Sequence, residues 1–463
     1  MSEEMKTLRK QLLRDSRSGY DVLEEAQLRQ MEDYCADYKA FLGNKTERLS
    51  ARAAIAAAEA HGFVEYRRGM ALEAGDKVYT CNRGKGLMLA VMGRESMAEG
   101  VQIAAAHIDS PRLDLKPNPL YEDSELAYFK THYYGGIRKY QWVTIPLQLQ
   151  GVVVKKDGTA VEVCIGEKGE PQLVITDLLP HLGGEQGKKP LSEAIPAETL
   201  NILLGSRPIG DEDDSDRVKL HVMKRLYDKY GITEADFASA ELEAVPAADA
   251  VDIGIDGSMI GSYGHDDRVC GYAALRALLE LDAPAKTAVC VLADKEEIGS
   301  MGVTGMQSAV FETFLSDLCD SQSVPLKVCF ENSFCLSADV TAAYDPNFAD
   351  VFDKKNAAFL NHGVGLCKYT GARGKSGSSD AGAETVAYVR SLLDDAGVRW
   401  QICELGKVDA GGGGTVAQYM ANRNIATLDA GVPVLSMHAP FEVVAKLDCY
   451  EMYRACKAIY EAR

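Results

Sequence analysis

The stretch VQIAAAHIDSP, residues 101–111, decides the reading of this chain. Val101 to Ala106 is a short apolar run, the pattern of a buried strand. His107 falls at its end, just before a loop that contains Pro111. In open α/β sheets, ligands bind outside the carboxyl ends of the strands. A polar pair such as His107 and Asp109 therefore stands where chemistry is expected.

Four further junctions repeat the pattern of an apolar segment, then His or a carboxylate, then a loop. They are GHDDR with Asp266 and Asp267, ADKEEIGS with Glu296 and Glu297, LSAD with Asp339, and LSMH with His438. Each has an ordinary alternative: a hydrogen-bonded rim histidine, a solvated Glu–Glu turn, or an Asp capping a helix. All of them lie in one α/β chain, and strand ends of one parallel sheet can converge on one edge. Two histidines with several carboxylates form a ligand set for zinc, manganese or cobalt. Carboxylates crowded without cations repel one another and take up protons. Two adjacent divalent ions relieve that repulsion, acidify a water and polarise a carbonyl, which suits hydrolysis. Neighbouring side chains of an extended segment point to opposite sides. One residue of the Glu296–Glu297 pair can then bind metal while the other serves as general base. Asp109 shares a side with His107 and can orient its imidazole.

The flanking sequence sets these junctions in an α/β frame. Residues up to about Ala60 read as helical, followed by the strand-like KVYTCN and GLMLAVMG. After Asp249 helices and strands alternate: GYAALRALLEL, TAVCVLAD, KVCFENSFCLSAD as a strand, GAETVAYVRSLLDDAG, RWQICELG, TVAQYMANRN, GVPVLSMHAP ending in His438, and a last helix through EMYRACKAIYEAR. That alternation predicts a layered, mostly parallel sheet. Between them the texture changes to strand-like QWVTIPLQLQGVVVKK and AVEVCIG, an acidic GDEDDSDR and a helical VKLHVMKRLYDKYG. The predicted organisation is α/β: residues 1–115 and 249–463 form one domain, interrupted by a β-rich module over 116–248.

Composition excludes some functions. The chain has 463 residues, 46% of them hydrophobic, enough for a large core and more than one domain. Its net charge of −18 disfavours nucleic acid or an anionic membrane as partner. No apolar run is long enough to span a bilayer. The 12 cysteines are scattered singly and the chain opens on charged residues, the pattern of a cytoplasmic protein with reduced thiols. GARGKSG lacks the upstream glycine of a phosphate loop, and GDEDDSDR lacks the Gly and Glu of a calcium loop. GGGG at 411–414 reads as a tight turn before a helix, or as amides for a substrate carbonyl.

The junctions also occur in a familiar order. HIDSPRLDLKP resembles the His-x-Asp-Ser-Pro motif of the M18 (aspartyl-aminopeptidase-like) metallo-aminopeptidases, and YYGG the Tyr-Gly-Gly segment that follows it. HDD at 265–267 sits where that family has Leu-Asp-Asn; DKEEIGS resembles Asp-His-Glu-Glu-Val-Gly-Ser; SADVTAAYDPNF and LSMHAP resemble its two later motifs. The resemblance covers nearly the whole chain. It implies that His107, Asp266 and Asp339 hold one metal and that Asp266, Glu297 and His438 hold the other. Glu296 becomes the general base and Asp109 the partner of His107. It implies zinc first, manganese or cobalt otherwise. It also implies an inserted domain that pairs subunits into dimers, assembled as a dodecamer.

The resemblance further implies that an insert histidine reaches a neighbouring active site, here His181, and that Lys368, with Lys375 nearby, lines the substrate pocket. Cations there suit an acidic N-terminal residue, but relatives also cleave apolar or basic ones, so the preference stays open. Asp267 replaces the usual Asn, Lys295 the usual His, and IRKYQWVTIP a tryptophan-containing run. The expected activity is removal of N-terminal residues from peptides. The alternatives are a di-metal N-deacylase or carboxypeptidase, and a self-assembling metal-binding shell protein with little catalysis.

Overall fold

Three sheets organise the chain, whose computed structural model describes residues 2–463. The architecture is mixed α/β. The largest sheet has nine strands, and its centre is made of Thr287–Ala293, Val101–His107, Phe334–Ala338 and Ala426–Gly431, all parallel. Every residue of Val101–His107 and of Thr287–Ala293 is buried. Strands covered on both faces read as continuous apolar runs rather than alternating ones, which is why VQIAAA and TAVCVLA carry no polar face. Alternation persists in where the side chains go. Ala104 and Ala106 join the core under the helices Glu25–Phe41, Glu47–Ala60, His265–Leu279 and Lys446–Tyr460. Val101, Ile103 and Ala105 join the opposite core, with Phe311, Phe314 and Leu318 of the helix Val310–Asp320.

A six-stranded antiparallel sheet is built wholly from residues between Arg112 and Pro246. It has a core of its own, including Leu113, Phe129, Trp142, Leu149 and Phe237, under the helix Arg217–Tyr230. A third sheet of five strands joins Met259–Ser262 to Glu442–Ala445 and Pro433–Leu435. Among the described residues, no helix is long and apolar enough to cross a membrane.

Several local expectations change. KVCFEN is not strand: Leu326–Glu331 is a helix started by Pro325, and the strand begins at Phe334. Proline's fixed φ suits a helix start, and Cys329 and Phe330 turn into the core from there. The strand before His438 ends at Leu435. The helix in TVAQYMANRN is only Ala417–Ala421. The Glu296–Glu297 pair lies in a single 3₁₀ turn, Glu296–Ile298, not in an extended segment.

Candidate metal centre

The carboxyl ends of the central strands deliver three of the five predicted ligands. His107 ends one strand, and its register partner Ala293 ends the next, so the Glu296–Glu297 turn begins beside it. Asp339 directly follows Phe334–Ala338 on the other side. The five-stranded sheet delivers the rest. Ser262 pairs with Glu442, placing Asp266 and His438 at the same edge. Buried Glu442 joins them: it accepts the Asp266 amide at 3.1 Å and the His438 amide at 2.7 Å.

The five predicted ligands form two overlapping groups, His107–Asp266–Asp339 and Asp266–Glu297–His438, each with donor atoms within 4.8 Å of one another. Asp266 is common to both. Its Oδ1 is 3.2 Å from His107 Nε2 and its Oδ2 is 3.2 Å from His438 Nε2. Glu297 Oε2 lies 3.6 Å from His438 Nε2. Glu296 belongs to neither group; its Oε2 is 3.9 Å from His107 Nε2. The other nitrogens of the two imidazoles are held by carbonyls: His438 Nδ1 by Gly136 O and His107 Nδ1 by Asp109 O, both at 2.9 Å. The Asp109 carboxylate also faces His107, with Oδ1 at 3.4 Å from Nδ1.

The charge balance fits divalent cations. Burial opposes ionisation throughout, yet contacts with His107 and His438 hold the Asp266 carboxyl below the usual carboxylate range. Against the same burial, Asp266 and Glu297 push His438 up to about 10, and Asp109 and Asp266 raise His107 well above its ordinary value. Burial wins at Glu297 and Asp339, both raised well above the carboxylate range, and lifts Glu296 to about 7. Without metal, protons must neutralise this cluster, and cations can replace them. Glu297 Oε1 is buried without a hydrogen-bond partner, as a ligand oxygen would be. The donor set, histidine nitrogen with carboxylate oxygen, suits zinc.

Asp339 has little room to move. A Cβ on Gly431 would lie 1.7 Å from the Asp339 carbonyl oxygen. Gly431→Ala is expected to displace that backbone at a cost of about 1–3 kcal/mol. Urea unfolding of the metal-free protein would read it, and zinc affinity should fall with it.

A cavity of about 430 Å³ opens over the cluster. The chain matches the family model described as aminopeptidase I zinc metalloprotease (M18) over residues 44–460. The chain belongs to the M18 family. It is 48% identical to a probable M18 family aminopeptidase 1 of Clostridium acetobutylicum, covering 95% of this chain and 97% of that one. A crystal structure of an M18 aminopeptidase from Thermotoga maritima superposes with TM-score 0.93 at 42% identity, covering 97% of this chain and 99% of that one. The mApe1 dodecamer of S. cerevisiae shares the fold, with TM-score 0.76 at 21% identity over 93% of this chain and 99% of that one. This M18 chain is thus a metallo-aminopeptidase.

Its substrate contacts lie less simply. Lys368 and Lys375 are outside the cavity lining, paired with Asp380 at 3.5 and 3.1 Å. His181 is exposed in a turn of the insert and is not among the residues lining this chain's cavity. Asp267, standing for the family's Asn, is buried and its carboxyl is raised well above the ordinary range. It accepts the His107 amide at 3.3 Å. Lys295 pairs with Asp294 at 3.7 Å. Sequence reasoning missed the roles of Glu442, which follows LSMHAP with nothing local to mark it, and of Tyr134, which lies within the YYGG segment but was given no role.

Proposed function

We propose a di-metal aminopeptidase in which His107, Asp266 and Asp339 hold one ion and Asp266, Glu297 and His438 the other, with Glu296 as general base. The observation that carries this reading is the pair of ligand groups sharing Asp266, with Glu296 left outside both but facing the same cavity. Zinc is the first choice of metal, with manganese or cobalt as alternatives. When bound, two such ions acidify a water and polarise the scissile carbonyl. Glu296 Oε2 takes a proton from the attacking water and returns it to the departing amine. Asp109 fixes the His107 imidazole, and Glu442 fixes the backbone of Asp266 and His438.

The lining also favours a free amine over a free carboxylate in the substrate. Its charged members are the acids and histidines of the cluster, and no Lys or Arg is among the described lining residues. An ammonium is attracted there and a carboxylate is not. The remaining wall, including Val340, Thr341, Cys367, Leu405 and Met437, is uncharged, so a neutral N-terminal side chain fits best. The insert over 116–248 is read as the dimerisation domain. Further assembly of such dimers into a dodecamer, the state of the S. cerevisiae mApe1 structure, would bring His181 towards a neighbouring cavity. The enzyme itself is read as cytoplasmic.

Hydrolysis of aminoacyl-4-nitroanilides by the zinc-loaded protein tests this. Leu and Met substrates should be turned over with kcat/KM at least about tenfold above Asp and Glu ones, the cost of an unpaired buried carboxylate. N-acetylation should abolish cleavage. Unchanged turnover of blocked substrates would replace this reading with a deacylase, and none on any substrate with a non-catalytic assembly.

A further inference from the structure

We propose that Tyr134 is a positioning residue of this centre, acting through Asp109 to hold the turn that carries Glu296 and Glu297. The proposal rests on the di-metal reading for what the turn does, but its geometry is independent of substrate.

Asp109 is fully buried and collects three donors on its carboxylate. The Tyr134 hydroxyl donates to Oδ2 at 2.8 Å, the Glu297 amide to Oδ2 at 3.2 Å and the Glu296 amide to Oδ1 at 3.1 Å. One side chain thus joins the end of the Val101–His107 strand to the Glu–Glu turn. The turn needs such a clamp. Lys295 and Ser300, at its two ends, have φ of 67° and 57°, a left-handed conformation that side-chain-bearing residues adopt at a cost. Strained backbone of this kind persists only where its surroundings fix it. The tyrosine hydroxyl is the shortest bond of the three, and its loss would leave only the two longer amide bonds.

Tyr134 is itself rigidly placed. It ends the strand Leu126–Tyr134 of the insert and pairs in register with Arg112. The Arg112 guanidinium lies 3.9 Å from the centre of its ring, an arrangement that fixes the ring plane. Arg112 in turn is tied to Asp114 at 2.8 Å and to Glu47 and Glu243 at 3.3 Å. The first hairpin of the insert is therefore part of the support of the metal centre, not only a surface for other subunits.

Tyr134→Phe keeps the ring and its arginine while removing the donor. Zinc affinity, measured by chelator competition, should fall about 10–100-fold, as for other groups that orient ligands, and kcat/KM should fall with it. The melting temperature of the metal-free protein should stay near wild type, which separates positioning from a general loss of fold. In an Asp109→Ala background the same substitution should add little, because its route is already cut. Zinc affinity within about twofold of wild type, or effects of the two substitutions that simply multiply, would overturn the proposal. If wild type cleaves no aminoacyl substrate, the aminopeptidase reading falls, and the zinc titration still decides the role of Tyr134.

Discussion

Glu296→Gln is expected to lower kcat by about 10²–10⁴-fold, the usual weight of a positioned general base, while zinc content stays at the wild-type level. The substitution is nearly isosteric, and the backbone amide that holds the turn to Asp109 is retained. Glu296 lies outside both ligand groups, so the loss should fall on proton transfer and not on metal binding. In the metal-free chain its burial raises the carboxyl to about 7. Gln offers no proton acceptor of comparable basicity. KM for Leu-4-nitroanilide should change little, since no new contact to the substrate is removed. Metal analysis of the purified variant discriminates the outcomes. Lost activity with lost zinc would make Glu296 a ligand, and activity within about tenfold of wild type would remove it from the mechanism.

The difference between what was legible in the sequence and what was not follows from range. The residues of the proposed ligand groups stand out where they lie just past an apolar run, and a run of that kind is a local signal. His107 after VQIAAA and Asp339 after FCLSA are read from a handful of neighbours. Glu442 and Tyr134 carry no such signal. Glu442 matters because an antiparallel pairing sets it opposite Ser262, and Tyr134 because a hairpin returns it to Arg112. Neither register can be read from a window of ten residues. The Glu–Glu pair shows the limit from the other side. The division of roles was read from an extended geometry, whereas the residues sit in a tight turn whose shape depends on Asp109, 187 and 188 positions away. Lys368 was selected for its charge and motif position, but charge does not report its neighbour: Asp380 occupies it, 12 residues on.

Asp266→Asn should be the most damaging single change at the centre, because it is the only residue common to both ligand groups. Each of its oxygens faces a different histidine at 3.2 Å. Asn keeps one oxygen and no charge, so one histidine meets an amide nitrogen and both lose their anion. Zinc stoichiometry should fall from two per chain to below one. His438→Ala, which touches a single group, should leave the His107 group able to bind. The consequence for stability is large and measurable. A ligand at a hundredfold excess over its Kd stabilises a fold by about 2.7 kcal/mol. Two such sites would raise the wild-type melting temperature strongly on adding zinc, whereas Asp266→Asn should respond weakly and His438→Ala by an intermediate amount. Activity of Asp266→Asn should fall below that of Glu296→Gln, since it removes both the Lewis acid and the acidified water. An equal thermal response of Asp266→Asn and His438→Ala would mean that Asp266 does not bridge, and the centre would have to be redrawn as two separate sites.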